Sequence, residues 1–148
     1  LLCPLAVTCI AKARGQMTDF PVKPPKKGKK VLRSLAFVAL DGKNRLLLST
    51  RPAKGLLAGM AEVPNSHWAA QAGGLEAQPL SAEWRRLNQP VIHIFTHIEL
   101  SMEIAVTRIA GPIPPPDGMR WVEVAKLNAE PLPTLFRKVI EVGLRALN

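Results

Sequence analysis

Two histidines bracket a phenylalanine and a threonine in VIHIFTHIEL, residues 91–100. Imidazole and hydroxyl groups can donate or accept hydrogen bonds at neutral pH, yet here they interrupt a run of strand-forming residues. From Ile98 onward, Leu100, Met102, Ile104 and Val106 alternate with Glu99, Ser101, Glu103, Ala105 and Thr107, the period of a strand with two unlike faces. One strand from Val91 to Ile109 would extend roughly 60 Å at ~3.3 Å per residue. A domain of ~100 residues has a radius of gyration near 13 Å. The chain must therefore fold back, and Thr96 with His97 is the polar break. An ordinary hairpin tip would account for the break, but no Gly, Asn or Pro stands there to make the turn.

A second group with chemical potential is DFPVKPPKKGKK, which sets Lys23, Lys26, Lys27, Lys29 and Lys30 among Pro21, Pro24 and Pro25. Proline at that density opposes helix and favours extended, semi-rigid chain. Extended basic chain can follow a phosphate backbone, since each ammonium acts as a point charge that needs little preparation. A solvated linker would have the same composition. Either way the stretch reads as a boundary, and the net charge of +9 suits an anionic partner. Cys3 and Cys9 precede it. They allow a disulfide, although nothing else suggests a secreted chain. Iron–sulfur and zinc sites generally take about four protein ligands, and two thiolates supply half.

The elements that must position these groups begin near Val31. The chain has 148 residues, 47% apolar, enough for one domain with flanks. Its 14 prolines assign much of it to loops. None of its apolar runs reaches the ~18 residues of a membrane span. LLCPLAVTCIA resembles the apolar part of a signal peptide but has an internal proline and lacks both an initiator Met and a preceding basic region. The expectation is a fragment that begins mid-pattern. VLRSLAFVAL and RLLLST read as strands paired across the turn DGKN. RPAKGLLAGMAEVP reads as a glycine-punctuated loop ending in a short strand at Ala61 to Val63. SAEWRRL predicts a short helix capped by Ser81, with Trp84 and Leu87 on one face. MRWVEV predicts another strand after the loop PIPPPDG. PTLFRKVIEVGLRAL predicts a helix with Leu135, Phe136, Val139, Ile140, Gly143 and Leu147 facing the core and Arg137, Glu141 and Arg145 outside. Strands with two helices and mostly hairpin connections give an α+β domain.

RPAKGLLAGMAEVP, HIFTH and LPTLFRKVIE, in that order and at those intervals, resemble the C-terminal part of adenine DNA glycosylases, the repair family that removes adenine mispaired with 8-oxoguanine or guanine. CPLAVTC followed by the lysine run resembles that family's junction after an iron–sulfur loop. The resemblance implies three parts: residues 1–16 as the end of the cluster loop, 17–30 as an extended basic interdomain linker, and 31–148 as a Nudix-like mixed β-sheet with flanking helices. It implies that a helical domain upstream performs the glycosidic chemistry, so that this chain lacks the catalytic residues of an enzyme of base excision repair. Cys3 and Cys9 match the last two of four ligands to a 4Fe–4S cluster in the parent, and no cofactor is expected in this chain alone. The partner implied is double-stranded DNA carrying the mispair, with other repair or replication proteins as further candidates. A monomer, in the bacterial cytoplasm at the nucleoid and away from membranes, is expected.

In the family, His-x-Phe-(Ser/Thr)-His at a hairpin tip approaches the lesion, and His93, Phe95, Thr96 and His97 match it. 8-Oxoguanine offers an N7–H donor where guanine has an acceptor, so the Thr96 hydroxyl can accept from it. Phe95 is expected either to pack the ribbon or to meet DNA, and His67 to lie at the surface. Two departures stand out. Ala61 replaces the tryptophan of GLWEFP, which implies different packing, and Thr96 replaces the commoner serine, whose hydroxyl it keeps with narrower rotamers. The competing reading is a Nudix hydrolase. That activity needs Gly-x5-Glu-x7-Arg-Glu-x2-Glu-Glu to hold magnesium, whereas NSHWAAQAGGLEAQPL contains Glu76 alone. A stand-alone Nudix-like module that binds nucleic acid or protein without hydrolysing anything is the remaining alternative.

Overall fold

The computed structural model describes residues 3–22 and 28–148. A one-turn helix, α1 (Ile10–Ala13), and a single 3-10 turn (Met17–Asp19) precede the main body. The 17–30 stretch is thus not extended throughout, and Lys23, Lys26 and Lys27 lie outside the described residues. The body contains β1 (Lys30–Leu40), β2 (Arg45–Thr50), β3 (Ala61–Glu62), β4 (Arg85–Arg86), β5 (Val91–Ile94), β6 (Ile98–Arg108), β7 (Met119–Glu123) and α2 (Thr134–Leu147). Among the described residues these strands form one mixed sheet in the order β3-β2-β1-β6-β4, with β5 also on β6 and β7 also on β2.

The centre of the sheet is a parallel pairing, β1 with β6, from Lys30↔Ile98 to Leu40↔Arg108. Hairpin reasoning does not anticipate it. The expected turn after β1 does form: Asn44 takes the left-handed conformation (φ 57°). The carboxylate of Asp41 accepts from the Lys43 and Arg45 N–H groups at 3.0 and 2.8 Å. The antiparallel register of β1 with β2 is nevertheless confined to Leu40↔Leu46. Farther from the turn, residues 64–69 occupy that edge of β1. Phe37 N–H donates to the Pro64 carbonyl, Ser66 N–H to Leu35, and Arg33 and Ala69 exchange both bonds.

Alternation along β1 and β6 gives two buried faces. Leu32, Ala36, Val38, Leu100, Met102, Ile104 and Val106 face α2, whose Leu135, Phe136, Val139, Ile140 and Gly143 are buried as the stripe requires. Leu147 is half-buried. Leu35, Phe37 and Ala105 face the other side, where Trp84 covers them. That cover corrects the predicted helix at SAEWRRL. The Trp84 ring meets Phe37 edge-on at 5.1 Å, and its indole N–H donates to the Leu80 carbonyl at 3.2 Å. Arg85 and Arg86 pair with Val106 and Ala105 as the short edge strand β4. Backbone groups at the sheet edge need partners, and this demand outweighs a cap and a two-residue helical face. β7 forms where expected, turning Val122 inward while Trp121 donates to the Ile113 carbonyl at 2.9 Å and anchors the proline-rich loop.

Candidate nucleic-acid interface

β5 and β6 are the arms of the hairpin expected from the sequence, with register Val91↔Met102 through Ile94↔Glu99. Phe95 N–H donates to the Ile98 carbonyl at 2.8 Å, which leaves Thr96 and His97 as the two-residue tip. Two-residue hairpin loops usually need positive φ, supplied by Gly or Asn. Neither Thr96 nor His97 adopts it. The tip is held from outside instead. The first residue of β1, Lys30, donates its N–H to the His97 carbonyl at 3.1 Å. The parallel ladder that starts there substitutes for turn chemistry. It also brings the exposed Lys29 and Lys30 beside the exposed side chains of Thr96 and His97.

His93 and Phe95 belong to a second layer. Both are half-buried. Their rings meet edge-on at 4.6 Å, and Phe95 stacks on Trp68 at 6.1 Å with 28° between planes. Phe95 therefore packs the ribbon rather than projecting from it. Burial holds the His93 imidazole below its ordinary pKa, and the positive charge of Lys138 on α2 adds to the effect. His93 is thus neutral at pH 7 and offers a hydrogen bond rather than a charge. His67 is exposed, as expected.

Beneath this layer lies a polar network that sequence reasoning missed. The Arg51 guanidinium pairs with Glu62 at 2.6 Å, donates through Nε to the Leu56 carbonyl at 2.9 Å, and sits 4.5 Å over the Trp68 ring. Asn65 donates to Glu62 at 2.9 Å and accepts from the Trp68 indole at 2.8 Å. Ser34 donates to the Ser66 carbonyl at 2.7 Å. No buried side-chain nitrogen or oxygen among the described residues lacks a partner. The only sequence signal was Trp68 itself, a large aromatic inside a polar loop. Ala61 is buried in β3, and its N–H donates to the Pro131 carbonyl at 3.1 Å.

The network bears on metal chemistry. Glu62 is engaged by Arg51, Asn65 and Ser49. Glu76 is drawn below its usual pKa by its own backbone N–H and that of Gly74. No cluster of three His, Cys, Asp or Glu side chains occurs among the described residues. Cys3 and Cys9 are free thiols lining one hollow of ≈ 290 Å³ with Ala6, Ala11, Lys12 and Met17. Two thiolates without a third ligand do not by themselves hold an iron–sulfur cluster.

Comparison with known proteins bears on the fold that carries these groups. The human adenine DNA glycosylase is 30% identical over an alignment of 112 residues that covers 66% of this chain and 20% of that protein. The chain thus spans about a fifth of that relative's length. The crystal structure of the C-terminal domain of mouse MUTYH with human PCNA matches with TM-score 0.64 and 22% identity, covering 78% of this chain and 88% of that one. The MutT protein of Methanosarcina mazei Go1 matches at TM-score 0.62 and 17% identity, over 83% and 99% of the two chains. At these identities the structures establish the fold, a Nudix-like mixed sheet with flanking helices. The NUDIX domain profile matches residues 35–142, from the buried start of the β1 core to the last turns of α2. The sheet that presents the tip is therefore shared architecture, and this chain belongs to the NUDIX domain family.

Proposed function

We infer that this domain reads 8-oxoguanine opposite adenine as the C-terminal part of an adenine DNA glycosylase, whose upstream domain excises the adenine. One observation carries the reading. A polar two-residue tip, without turn residues of its own, is fixed by the first residue of β1 so that Thr96, His97, Lys29 and Lys30 are exposed together. Phosphate contacts from lysines position a protein on duplex DNA, while hydrogen bonds to base edges specify the site. The Thr96 hydroxyl accepts from N7–H of the oxidised base, and backbone N–H groups of the tip donate to its C8 carbonyl. His97 donates to phosphate. His93 and Phe95 support the tip from below. Cys3 and Cys9 complete the parent's 4Fe–4S cluster together with two upstream cysteines. The protein acts as a monomer in the bacterial cytoplasm, at the nucleoid, on duplexes with A:8-oxoguanine or A:G mispairs.

Membership of the NUDIX domain family favours a second reading, hydrolysis of a nucleoside diphosphate linkage. Magnesium at a pyrophosphate needs several oxygen ligands. Here Glu62 is already neutralised by Arg51 at 2.6 Å, which weighs against that chemistry.

The test uses the full-length protein with Thr96→Ala/His97→Ala. Phe95 is left in place because it packs on Trp68. The readout is the ratio of single-turnover adenine release opposite 8-oxoguanine and opposite guanine. A good base-edge pair gives about 1–3 kcal/mol of discrimination, so the ratio should fall roughly ten- to hundredfold. Thr96→Ser should keep it. A folded double variant with the wild-type ratio would remove the tip from recognition. Magnesium-dependent pyrophosphate release above a buffer control would revive the hydrolase reading.

A further inference from the structure

At the end of the sheet away from the hairpin tip, β6 leads into the loop GPIPPPDG, residues 111–118. Covalent geometry sets its backbone before any packing does. Each proline ring holds φ at about −65°, and a residue preceding proline is pushed out of the helical region into extended backbone. Gly111, Ile113, Pro114 and Pro115 all precede a proline. The one cis peptide bond among the described residues is Phe20–Pro21, so the bonds of this run are trans. Residues 112–116 therefore form a short stretch of polyproline II helix, at three residues per turn.

Burial follows that threefold period. Ile113 and Pro116 are half-buried on one face, while Pro112, Pro114 and Pro115 are exposed on the other two. The inner face is held through its backbone. The Trp121 indole donates to the Ile113 carbonyl at 2.9 Å, and the Met119 N–H donates to the Pro116 carbonyl at 3.0 Å. Gly118, at φ 72°, supplies the left-handed residue that returns the chain to β7. Arg45 lies 6.0 Å from the Trp121 ring centre and is itself paired with Asp41 at 2.6 Å. The ridge is thus ordered before any partner arrives, which removes entropy that a flexible proline-rich tail would lose on binding.

Proline lacks a backbone N–H, so this segment is not built to extend a sheet. It offers ring faces and carbonyl oxygens, the features read by a groove of aromatic side chains whose Trp or Tyr also donates a hydrogen bond. Unlike charges mark its two ends. Gly42 approaches Ala110 so closely that an added Cβ would lie 2.8 Å from the Ala110 carbonyl oxygen, which brings the exposed Lys43 to the start of the loop, while the exposed Asp117 closes it. Neither enters an ion pair among the described residues. The ladder of β1 with β6 runs from Lys30↔Ile98 beside the tip to Leu40↔Arg108, roughly 33 Å at ~3.3 Å per residue. A protein seated on the loop leaves Thr96 and His97 open. We propose that residues 112–116 are a docking ridge for a protein domain that binds polyproline II in an aromatic-lined groove, with an acidic side chain at the groove end that meets Lys43 and a basic one at the end that meets Asp117.

The experiment titrates the full-length protein into three isolated, isotope-labelled readers of polyproline II: a WW, an SH3 and an EVH1 domain. At least one should show saturable shifts of the indole resonance in its groove. Pro112→Ala/Pro115→Ala removes two ring faces and slackens the chain, so affinity should fall roughly tenfold or more. Pro114→Ala alone should weaken it less. Both variants should keep the wild-type melting temperature and the wild-type ratio of adenine release opposite 8-oxoguanine and guanine. Added lesion duplex should leave the titration unchanged. Three silent domains would overturn the proposal. Binding that the double variant retains would be attraction to the +9 chain and would overturn it too. Competition by the duplex would place the contact on the DNA-facing end, and binding lost only in step with the melting temperature would make the prolines structural; either result sinks the ridge.

Discussion

Gly143 offers a quantitative test of how α2 seats the sheet. It is buried on the inward stripe of that helix. A Cβ built on it would lie 2.8 Å from both Val38 methyls and 2.9 Å from the Val38 Cβ, closer than carbon atoms approach. Val38 is fully buried in β1 and has little room to move. Two effects oppose each other in Gly143→Ala. Alanine is favoured over glycine in a helix interior by about 1 kcal/mol. Overpacking a well-filled core costs about 1–3 kcal/mol. The overlap involves three atoms of a stiff β-branched side chain, so the steric cost should win, leaving a net loss of up to roughly 2 kcal/mol. For a domain of this size that lowers the melting temperature by up to about 6 °C. In a Val38→Ala background the two methyl contacts are removed and only the Cβ contact remains, so Gly143→Ala should cost less there than beside Val38. Urea denaturation of the four proteins in this double-mutant cycle measures the difference. Stabilisation by Gly143→Ala in the presence of Val38 would refute the close approach of α2 to β1.

His93 and the basic rim yield two further outcomes. The folded state disfavours protonated His93 through burial and Lys138, so its pKa lies below the unfolded value of about 6.5. The stability it contributes is complete above that value and declines as pH falls below it toward the folded pKa. Urea midpoints should therefore fall between about pH 7 and 5, less so for His93→Gln, and an equal fall in both proteins would contradict the assignment. Lys29→Ala/Lys30→Ala should weaken binding to lesion and normal duplexes alike and flatten the salt dependence by about 0.9 for each phosphate no longer neutralised. An unchanged slope would leave these lysines merely solvated.

The parts legible in the sequence are those fixed by local pattern. The β5–β6 hairpin follows from strand length and the Thr96–His97 break, and α2 from a 3.6-residue stripe that includes Gly143. The parallel partnership of β1 with β6 joins residues about 70 apart, beyond any local period. One clue was present: Leu35 to Leu40 is apolar without alternation, the mark of a strand buried on both faces. SAEWRRL carried helical signals and became an edge strand because Trp84 covers Phe37. At the candidate site, the polar break at Thr96 and His97 was legible from residue types, while its reading as a site came from the family resemblance. The contacts of Arg51 and Trp68 were not legible, because they arise only when loops distant in sequence meet.

Arg51 connects what this fold does not offer with what it presents. A carboxylate held at 2.6 Å by a guanidinium and bonded by Asn65 is poorly available to a magnesium ion. The same guanidinium, its charge balanced by Glu62, can lie over Trp68 and hold the Leu56 carbonyl at little desolvation cost. Trp68 then supports Phe95, and Phe95 the tip. Engagement of Glu62 and the tie between Trp68 and the Leu56 carbonyl therefore pass through one guanidinium. Removing Glu62 would not restore a metal site. It would free Arg51 from the ion pair and leave its hold on the Leu56 carbonyl and its place over Trp68 less constrained, so the availability of Glu62 and the packing beneath the hairpin tip are linked through a single side chain.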